Sequence, residues 1–335
     1  MKKKLISLFS GAGGFDLGFE QSGWWETALV NDFHPKMIDT LCYNQGKIFH
    51  NQKFLENAQI VGGDIVKIID EIGSTSADLV LGGPPCQSFS AIGSQEGYGS
   101  ERGGLIFSFA DIIERVDPDY FLFENVPNLK SSKWISLFED FIAYLGFSGK
   151  YEVKYFLLNC ADFGCATVRE RIFIFGCHRR TGKKPTAPQP THSAAGDLFS
   201  LIPHVTVGDV IDDLRSASLD FSFPDLHFAP RHEPEIVSRF SKLAPGERDP
   251  IRRRNRLFAD KPAYTLFAGG EAGGTRAHIH PTQPREITPR EMARIHGFPD
   301  DFSFCGNKSQ IAIQLANSVP IPIAQAWGKH IGSNY

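Results

Sequence analysis

Short apolar runs alternate with amphipathic helical stretches through the first half of the chain, and this alternation constrains the fold more than any other feature. The apolar runs have the length of buried strands, and helix candidates lie between several of them. Strand–helix–strand units make neighbouring strands parallel, so the pattern predicts an α/β fold with a mostly parallel sheet. The predicted strands are 5–9, 27–31, 77–81, 119–123, 151–158 and 171–177, and the clearest helices are 104–116 and 134–145.

The alternation stops near Cys177, where Pro, Gly, Ser, His and Arg follow in irregular order. This change predicts a catalytic, cofactor-binding domain of residues 1–177 and 285–335, and a smaller, irregular domain of residues 178–284. Near the C-terminus, Thr288-Pro-Arg-Glu291 predicts a capped helix that ends near His296. Residues 318–330 predict a last helix, delayed by two prolines.

The 335-residue chain has a formal charge of −3, which taken alone argues against a protein that coats a polyanion. The charge is unevenly distributed: residues 177–285 carry 16 Lys and Arg against 12 Asp and Glu, and the rest carries 19 against 26. We therefore expect a polyanion to bind through one face. With no apolar run of about 18 residues and no CxxC pair, we expect no membrane segment, no metal site and reduced thiols in a cytoplasmic protein.

A glycine-rich turn follows the first predicted strand, with the sequence Phe9-Ser-Gly11-Ala-Gly-Gly14-Phe. Glycines let a ligand approach backbone amides there, and the start of the next helix favours an anionic group. Asp32 follows the second strand, where a carboxylate can accept the hydroxyls of a ribose, and Asp64 could contact an adenine amine. These elements predict a nucleotide-like cofactor and leave NAD and S-adenosylmethionine as alternatives.

Gly82-Gly-Pro-Pro-Cys86-Gln-Ser-Phe-Ser90 follows the predicted strand 77–81. Two prolines stiffen this turn and hold a thiol at the carboxyl edge of the sheet, where ligands bind in open α/β folds. An isolated Pro-Cys is more often structural. Here Glu124 emerges after the next strand at the same edge, and Arg169 and Arg171 flank the start of the last strand, so the context favours a reactive cysteine.

These motifs, in this order, resemble those of the cytosine-5 DNA methyltransferases. The resemblance runs through the glycine turn, Gly-Pro-Pro-Cys-Gln-Ser-Phe-Ser, Glu124-Asn-Val, Arg169-Glu-Arg171, the segment from Thr288 to Pro299, and Ala316-Asn-Ser-Val-Pro320. Only residues from about 178 to 270 fall outside it, where the family has its variable target-recognition domain. Thr167 and Ala316 depart from the family pattern, which has Gln and Gly there. The resemblance implies a Rossmann-like fold that uses S-adenosylmethionine.

The resemblance also implies a mechanism in which Cys86 adds to carbon 6 of cytosine and thereby activates carbon 5. Arg169 and Arg171 would favour the thiolate, and Glu124 would share or donate a proton at ring nitrogen 3. Residues 91–103 would close over a base that is rotated out of the duplex. The base that removes the carbon 5 proton stays open between water and a side chain.

Two sets of binding residues follow from the motifs. The expected cofactor contacts are Phe9, Ser10, Gly11, Ala12, Gly14, Asp32, Phe33, Asp64, Ile65, Pro85, Leu105, Asn317 and Ser318. Arg can grip phosphates or read guanine edges, so the densest basic run of the irregular domain is expected to contact DNA. With the residues near Cys86, the expected DNA contacts are Gln87, Ser90, Arg102, Arg252, Arg253, Arg254 and Arg256.

The sequence thus predicts a DNA (cytosine-5) methyltransferase of the bacterial or phage modification type. Its expected partner is double-stranded DNA, with a cognate restriction endonuclease acting on the same site, and the chain is expected to be a monomer. Methylation of tRNA keeps the same chemistry and is the first alternative. A catalytically idle DNA-binding module is the second, and a NAD dehydrogenase ranks last because no hydride-transfer acid accompanies the glycine turn.

Overall fold

The computed structural model describes residues 2–85, 104–194, 201–214, 217, 225–266 and 277–335. The chain divides into two compact units, which we call the sheet unit (Met1–Leu158, Glu170–Gln189 and Gln325–Tyr335) and the second unit (Asn159–Arg169 and Pro190–Ala324). Their limits differ from those of the predicted domains because contacts define the units, whereas composition and expected function defined the domains. The functional division stays a prediction.

Most of the strands belong to the sheet unit, and β9, β11, β12 and β13 belong to the second unit. In chain order the strands of both units are β1 (Lys3–Leu8), β2 (Trp25–Asp32), β3 (Ile48–Phe49), β4 (Gln52–Lys53), β5 (Gln59–Gly62), β6 (Leu79–Gly82), β7 (Tyr120–Asn125), β8 (Tyr151–Asn159), β9 (Thr167–Val168), β10 (Glu170–His178), β11 (His192–Ser193), β12 (Ile202–Pro203) and β13 (Ala263–Tyr264). Seven of them form the central sheet in the order β5-β2-β1-β6-β7-β10-β8. β3 and β4 form a short antiparallel hairpin.

The central sheet is mostly parallel, as the alternating pattern predicts. β1 pairs in parallel with β2 and β6, β2 with β5, and β6 with β7, whereas β10 runs antiparallel to β7. Every residue of β6 and β7 is buried, which explains their continuous apolar sequences. β5 was not among the predicted strands because it lies at the sheet edge and none of its four residues is buried.

The helices of the sheet unit are α1 (Gly14–Gln21), α2 (Pro35–Asn44), α3 (Ile69–Gly73), α4 (Gly104–Val116) and α5 (Ile135–Leu145). The last two confirm the helices predicted at 104–116 and 134–145. Phe109 and Phe141 of these helices pack against Phe123 of β7, with ring centroids 5.4 and 5.3 Å apart. The core of the unit therefore lies between the sheet and these helices.

The second unit contains α6 (Val207–Ile211), α7 (Pro234–Ser241), α8 (Pro289–Ile295) and α9 (Lys308–Asn317), and α10 (Ile321–Asn334) continues from it into the sheet unit. A capping box between Thr288 and Glu291 begins α8, which confirms the predicted start. α10 begins at Ile321, between Pro320 and Pro322, and runs four residues beyond the predicted end. In the described ranges, no helix has both the length and the hydropathy needed to cross a membrane.

Candidate active site

The glycine turn between β1 and α1 has a left-handed backbone at several positions. φ is 55° at Phe9, 57° at Gly11 and 85° at Gly13. A Cβ on Gly13 would lie 2.8 Å from both Leu41 and Phe54, so only glycine fits there. By contrast, no described atom lies within 4 Å of the Cβ position of Gly11. The turn therefore packs tightly on one side and leaves its backbone approachable on the other.

Asp32, the last residue of β2, ties the glycine turn to the start of α2. Its Oδ2 accepts a hydrogen bond from the Gly11 N–H and its Oδ1 accepts one from the His34 N–H, both at 2.8 Å. Burial raises the pKa of this carboxyl, and the two backbone donors partly offset that effect. The next residue, Phe33, has 72% of its surface exposed. An oriented carboxyl thus lies next in the chain to an exposed aromatic ring, and their contacts with a nucleoside stay predictions.

Hydrogen bonds hold the end of β5 and the residue after it beside β2. The Gly63 N–H donates to the Asp32 carbonyl at 3.0 Å, and the Asn31 side chain donates to the carbonyl of Val61 at 2.9 Å. Asp64 Oδ1 accepts from the Val66 N–H at 3.1 Å. Ile65 is 2% exposed and belongs to the core, so only its backbone could contact a cofactor.

Phe9, Asp32 and Asp64 lie at the carboxyl ends of three neighbouring parallel strands, β1, β2 and β5. The open side of the glycine turn lies at the same edge. Ligands of open α/β sheets bind at this edge. The residues therefore fit a cofactor that combines a nucleoside with an anionic group.

Glu124 lies at the carboxyl end of β7 and forms an ion pair with Arg171 of β10. Arg171 Nε is 2.8 Å from Glu124 Oε1, and the two side chains are only 10% and 11% exposed. Glu124 Oε2 lies 3.0 Å from the Cβ position of Gly83. Asn125 donates from its side chain to the Pro84 carbonyl at 2.8 Å. Asn125 thus fixes the segment that precedes Cys86, and Glu124 lies beside that segment.

The other predicted catalytic and cofactor residues are distributed as follows. Cys86, Gln87, Ser90 and Arg102 lie outside the described residues. Pro85 is exposed, and Leu105 is partly buried in the first turn of α4.

Three further predicted residues belong to the second unit. Arg169 is 2% exposed, and its backbone N–H donates to Asn159 Oδ1 at 3.2 Å. Asn317 is the exposed last residue of α9, and the Ser318 hydroxyl donates to the Gln314 carbonyl at 2.8 Å.

The predicted DNA-contacting arginines lie on and beside one loop of the second unit. Asp249 closes the loop: its Oδ2 accepts from the Arg252 N–H at 2.5 Å, and its carbonyl accepts from the Arg253 N–H at 2.8 Å. Arg252 and Arg253 are exposed and Arg254 is partly buried. Glu286 Oε1 lies 3.7 Å from Arg252 Nη1 and 3.5 Å from Arg254 Nε. Arg256 is 7% exposed.

The guanidinium of Arg256 donates to backbone carbonyls rather than facing solvent. Its acceptors are the carbonyls of Pro281, Phe240 and Leu243, at 2.8, 2.9 and 3.1 Å. This geometry corrects the prediction of Arg256 as a DNA contact, whereas the DNA contacts of Arg252, Arg253 and Arg254 stay predictions.

Asp16 has no predicted role, although its side chain is completely buried beside the glycine turn. It stands in the first turn of α1, where the dinucleotide fingerprint has its third glycine. The side chain is 0% exposed, and neither carboxyl oxygen has a hydrogen-bond partner among the described residues. The only signal in the sequence was this acidic residue in place of glycine.

The model of one protein family, described as C-5 cytosine-specific DNA methylase, matches residues 3–333. The chain belongs to this family. Type II methyltransferase M.NgoFVII of Neisseria gonorrhoeae is 33% identical over 95% of the methyltransferase described here and 83% of its own length. M.NgoPII of the same organism is 31% identical over 96% and 93%. The predicted family and enzyme class, a DNA (cytosine-5) methyltransferase, are confirmed.

Solved structures show the same fold. A prophage-encoded E. coli protein assigned as a DNA modification methyltransferase has a TM-score of 0.75 at 24% identity, covering 98% of both chains. S. pombe Dnmt2 methyltransferase has a TM-score of 0.64 at 14% identity, covering 99% of this methyltransferase and 98% of that chain. The predicted fold class is confirmed.

The two departures from the family pattern are accommodated locally. Thr167 is fully buried in β9, and its hydroxyl lies 3.5 Å from the Tyr264 carbonyl in the paired strand β13. Ala316 is 4% exposed in α9. Both positions are packed inside the second unit of the methyltransferase.

Proposed function

We propose that this methyltransferase transfers a methyl group from S-adenosylmethionine to carbon 5 of a cytosine that is rotated out of a specific duplex DNA sequence. The observation that carries the proposal is the buried ion pair of Glu124 and Arg171 at the carboxyl end of β7, beside the segment that Asn125 fixes just before Cys86. A thiolate that adds to carbon 6 of the ring makes carbon 5 nucleophilic. The cofactor supplies an electrophilic methyl group on its sulfonium.

Each of the predicted catalytic residues has a separate part in the proposed reaction. Cys86 forms the bond to carbon 6 and leaves again after a base has removed the carbon 5 proton. Glu124 faces ring nitrogen 3, with Arg171 orienting its carboxyl group through the 2.8 Å contact. Arg169 is proposed to favour the thiolate.

The cofactor site is proposed at the carboxyl edge of β1, β2 and β5. Asp32 would accept the ribose hydroxyls, Phe9 or Phe33 would stack on the adenine, and Asp64 would accept from its amine. The amides of the glycine turn would bind the carboxylate of the methionine portion. The open space over Gly11 and the 72% exposure of Phe33 support this placement.

The partner is proposed to be double-stranded DNA in the bacterial cytoplasm. The exposed arginines Arg252 and Arg253, on a loop fixed by Asp249, support a contact with phosphates or base edges. Because the relatives are named Type II methyltransferases, we infer a cognate endonuclease that cleaves the same sequence when it is unmethylated. The monomeric state stays a prediction.

Bisulfite sequencing of DNA from a host that expresses the protein tests this function and reports the target site. Wild-type protein is expected to protect cytosines at one short sequence, and Cys86→Ala is expected to protect none. Cys42→Ala, which changes an exposed cysteine on α2, is the matched control and should act like the wild type. Methylation of tRNA but not of duplex oligonucleotides, or full activity in Cys86→Ala, would contradict the proposal.

A further inference from the structure

The buried carboxyl of Asp16 differs from the other buried acid of α1. Glu20 is 4% exposed, and its two oxygens accept from the N–H groups of Leu55 at 2.9 Å and Thr27 at 3.2 Å. Asp16 is 0% exposed, and neither of its oxygens has a partner in full hydrogen-bonding geometry among the residues that the structure describes. Burying a carboxylate without a partner is unfavourable, so Glu20 has a structural explanation and Asp16 does not.

The surroundings of Asp16 make its negative charge still less favourable. Burial raises the pKa of this carboxyl to about 7, and the charges of Glu20 on α1 and Asp32 on β2 add to the rise. The Ser7 hydroxyl is the main group that favours the ionised form, although it is not in full hydrogen-bonding geometry with either oxygen. A cation brought to this place would relieve the unfavourable charge.

Two hydroxyl groups connect Asp16 to the edge of the cofactor site. The Ser10 hydroxyl lies 3.0 Å from the Ser7 hydroxyl and 3.1 Å from the Ser7 carbonyl, and donates to both. The proton of Ser7 is then directed to Asp16, and the free lone pair of Ser10 can accept from a ligand. Ser10 is 9% exposed and Ser7 is fully buried, so the chain of hydroxyls runs inward from the surface of the turn.

The chemistry of the methionine portion identifies the cation. Its carboxylate and its ammonium sit on the same carbon atom, so a site that binds the carboxylate at the start of α1 also brings the ammonium there. The amides of the turn complement the carboxylate and cannot complement the ammonium. Asp16 is the acidic residue of the first turn of α1.

We propose that Asp16 is a positioning residue that binds the ammonium of the cofactor's methionine portion through Ser7 and Ser10. This inference rests on the proposed use of S-adenosylmethionine. It assigns the ammonium, and not the sulfonium, to Asp16. S-adenosylhomocysteine keeps the ammonium and lacks the sulfonium charge, so both ligands should depend on Asp16 equally.

Binding should release a proton, because the ammonium favours ionised Asp16. With a free-protein pKa of about 7, most of a proton should be released at pH 6, where the amine of the ligand is already protonated. Glu20 and Asp32 are the other titratable groups that face Asp16. The release should therefore disappear in Asp16→Asn, which leaves both of those groups in place.

Isothermal titration calorimetry of the whole protein at pH 6, in two buffers of different ionisation enthalpy, measures affinity and proton release together. Asp16→Asn is expected to bind S-adenosylmethionine and S-adenosylhomocysteine about tenfold to a hundredfold more weakly, as for loss of a hydrogen bond to a charged group. Ser10→Ala should weaken both ligands less. Asp39→Asn, an exposed carboxyl on α2, is the control and should match the wild type.

The outcomes separate this inference from the proposed function. Wild-type affinity and proton release in Asp16→Asn would overturn the role of Asp16, as would a loss confined to S-adenosylmethionine. If the wild type bound neither ligand, the proposed cofactor itself would be refuted. Circular dichroism of Asp16→Asn checks that the variant is folded before its affinities are compared.

Discussion

At the scale of single residues, a carboxyl that is buried without a full hydrogen bond lowers stability whenever it is ionised. The pKa of Asp16 is about 7 in the folded protein against 3.8 for the ordinary group. Folding therefore takes up a proton between these pH values, and the stability of the wild type falls as the pH rises from about 4 to 7. A residue kept for binding at the expense of stability behaves in this way.

We therefore expect Asp16→Asn to stabilise the ligand-free protein. The gain in the free energy of unfolding should approach about 4 kcal/mol at pH 8, as an upper bound, and stay below about 2 kcal/mol at pH 5. Urea denaturation of both proteins at the two pH values measures it. A variant that is less stable than the wild type at pH 8 would mean that Asp16 has a stabilising partner in the fold.

Single residues also show what the sequence could predict of the site. Asp32 and Glu124 were predictable because each directly follows or ends a buried strand, and the sheet brings such positions to one edge. Asp16 was not, because a helical residue gives no sign of whether its side chain has a donor. Arg256 was predicted as a DNA contact from the basic run, but three carbonyls bind its guanidinium, which only the tertiary fold brings together.

At the scale of elements, the turn between β1 and α1 is fixed by packing as well as by backbone conformation. Gly13 and Gly23 both have φ of 85°, but only Gly13 has side chains 2.8 Å from its Cβ position. Comparing alanine variants of Gly13 and Gly23 therefore separates the effect of a left-handed backbone from that of a steric clash. Alanine at either position is strained, at about 1–2 kcal/mol.

Gly13→Ala is expected to lower the free energy of unfolding by about 1–3 kcal/mol more than Gly23→Ala, because Leu41 and Phe54 must move. It should also weaken binding of S-adenosylmethionine, since the turn moves with them. Urea denaturation and calorimetry of the two variants give the comparison. Equal losses in both variants would show that the clash is relieved without cost.

The elements whose bounds are encoded in a few neighbouring residues are the ones that the sequence predicts correctly. α4 matches its predicted bounds because its apolar residues follow a helical period. α8 begins directly after its N-cap, Thr288, because its capping box is encoded within four residues. β5 had no such signal, since an exposed edge strand need not alternate. Its place beside β2 comes from pairing with Leu29–Asp32, a contact between distant parts of the chain.

At the scale of the whole molecule, the formal charge of −3 conceals a basic surface loop that is suited to a polyanion. Asp249 is fully buried and holds the loop backbone, so Arg252 and Arg253 are presented at fixed positions instead of on a disordered run. Each phosphate contact contributes a slope of about −0.9 to the dependence of log affinity on log salt. The loop should therefore account for a measurable part of that dependence.

The double variant Arg252→Ala/Arg253→Ala is expected to reduce the magnitude of that slope by about 1.8 if both arginines contact phosphates. Fluorescence anisotropy with a duplex that carries the target site, titrated at several salt concentrations, measures the slope. Arg115→Ala is the control, because Arg115 lies in the last turn of α4 and pairs with Asp70 in the sheet unit.

If the double variant lost affinity at every salt concentration without a change in slope, the arginines would read base edges rather than phosphates. An unchanged affinity and slope would exclude the loop from the DNA interface.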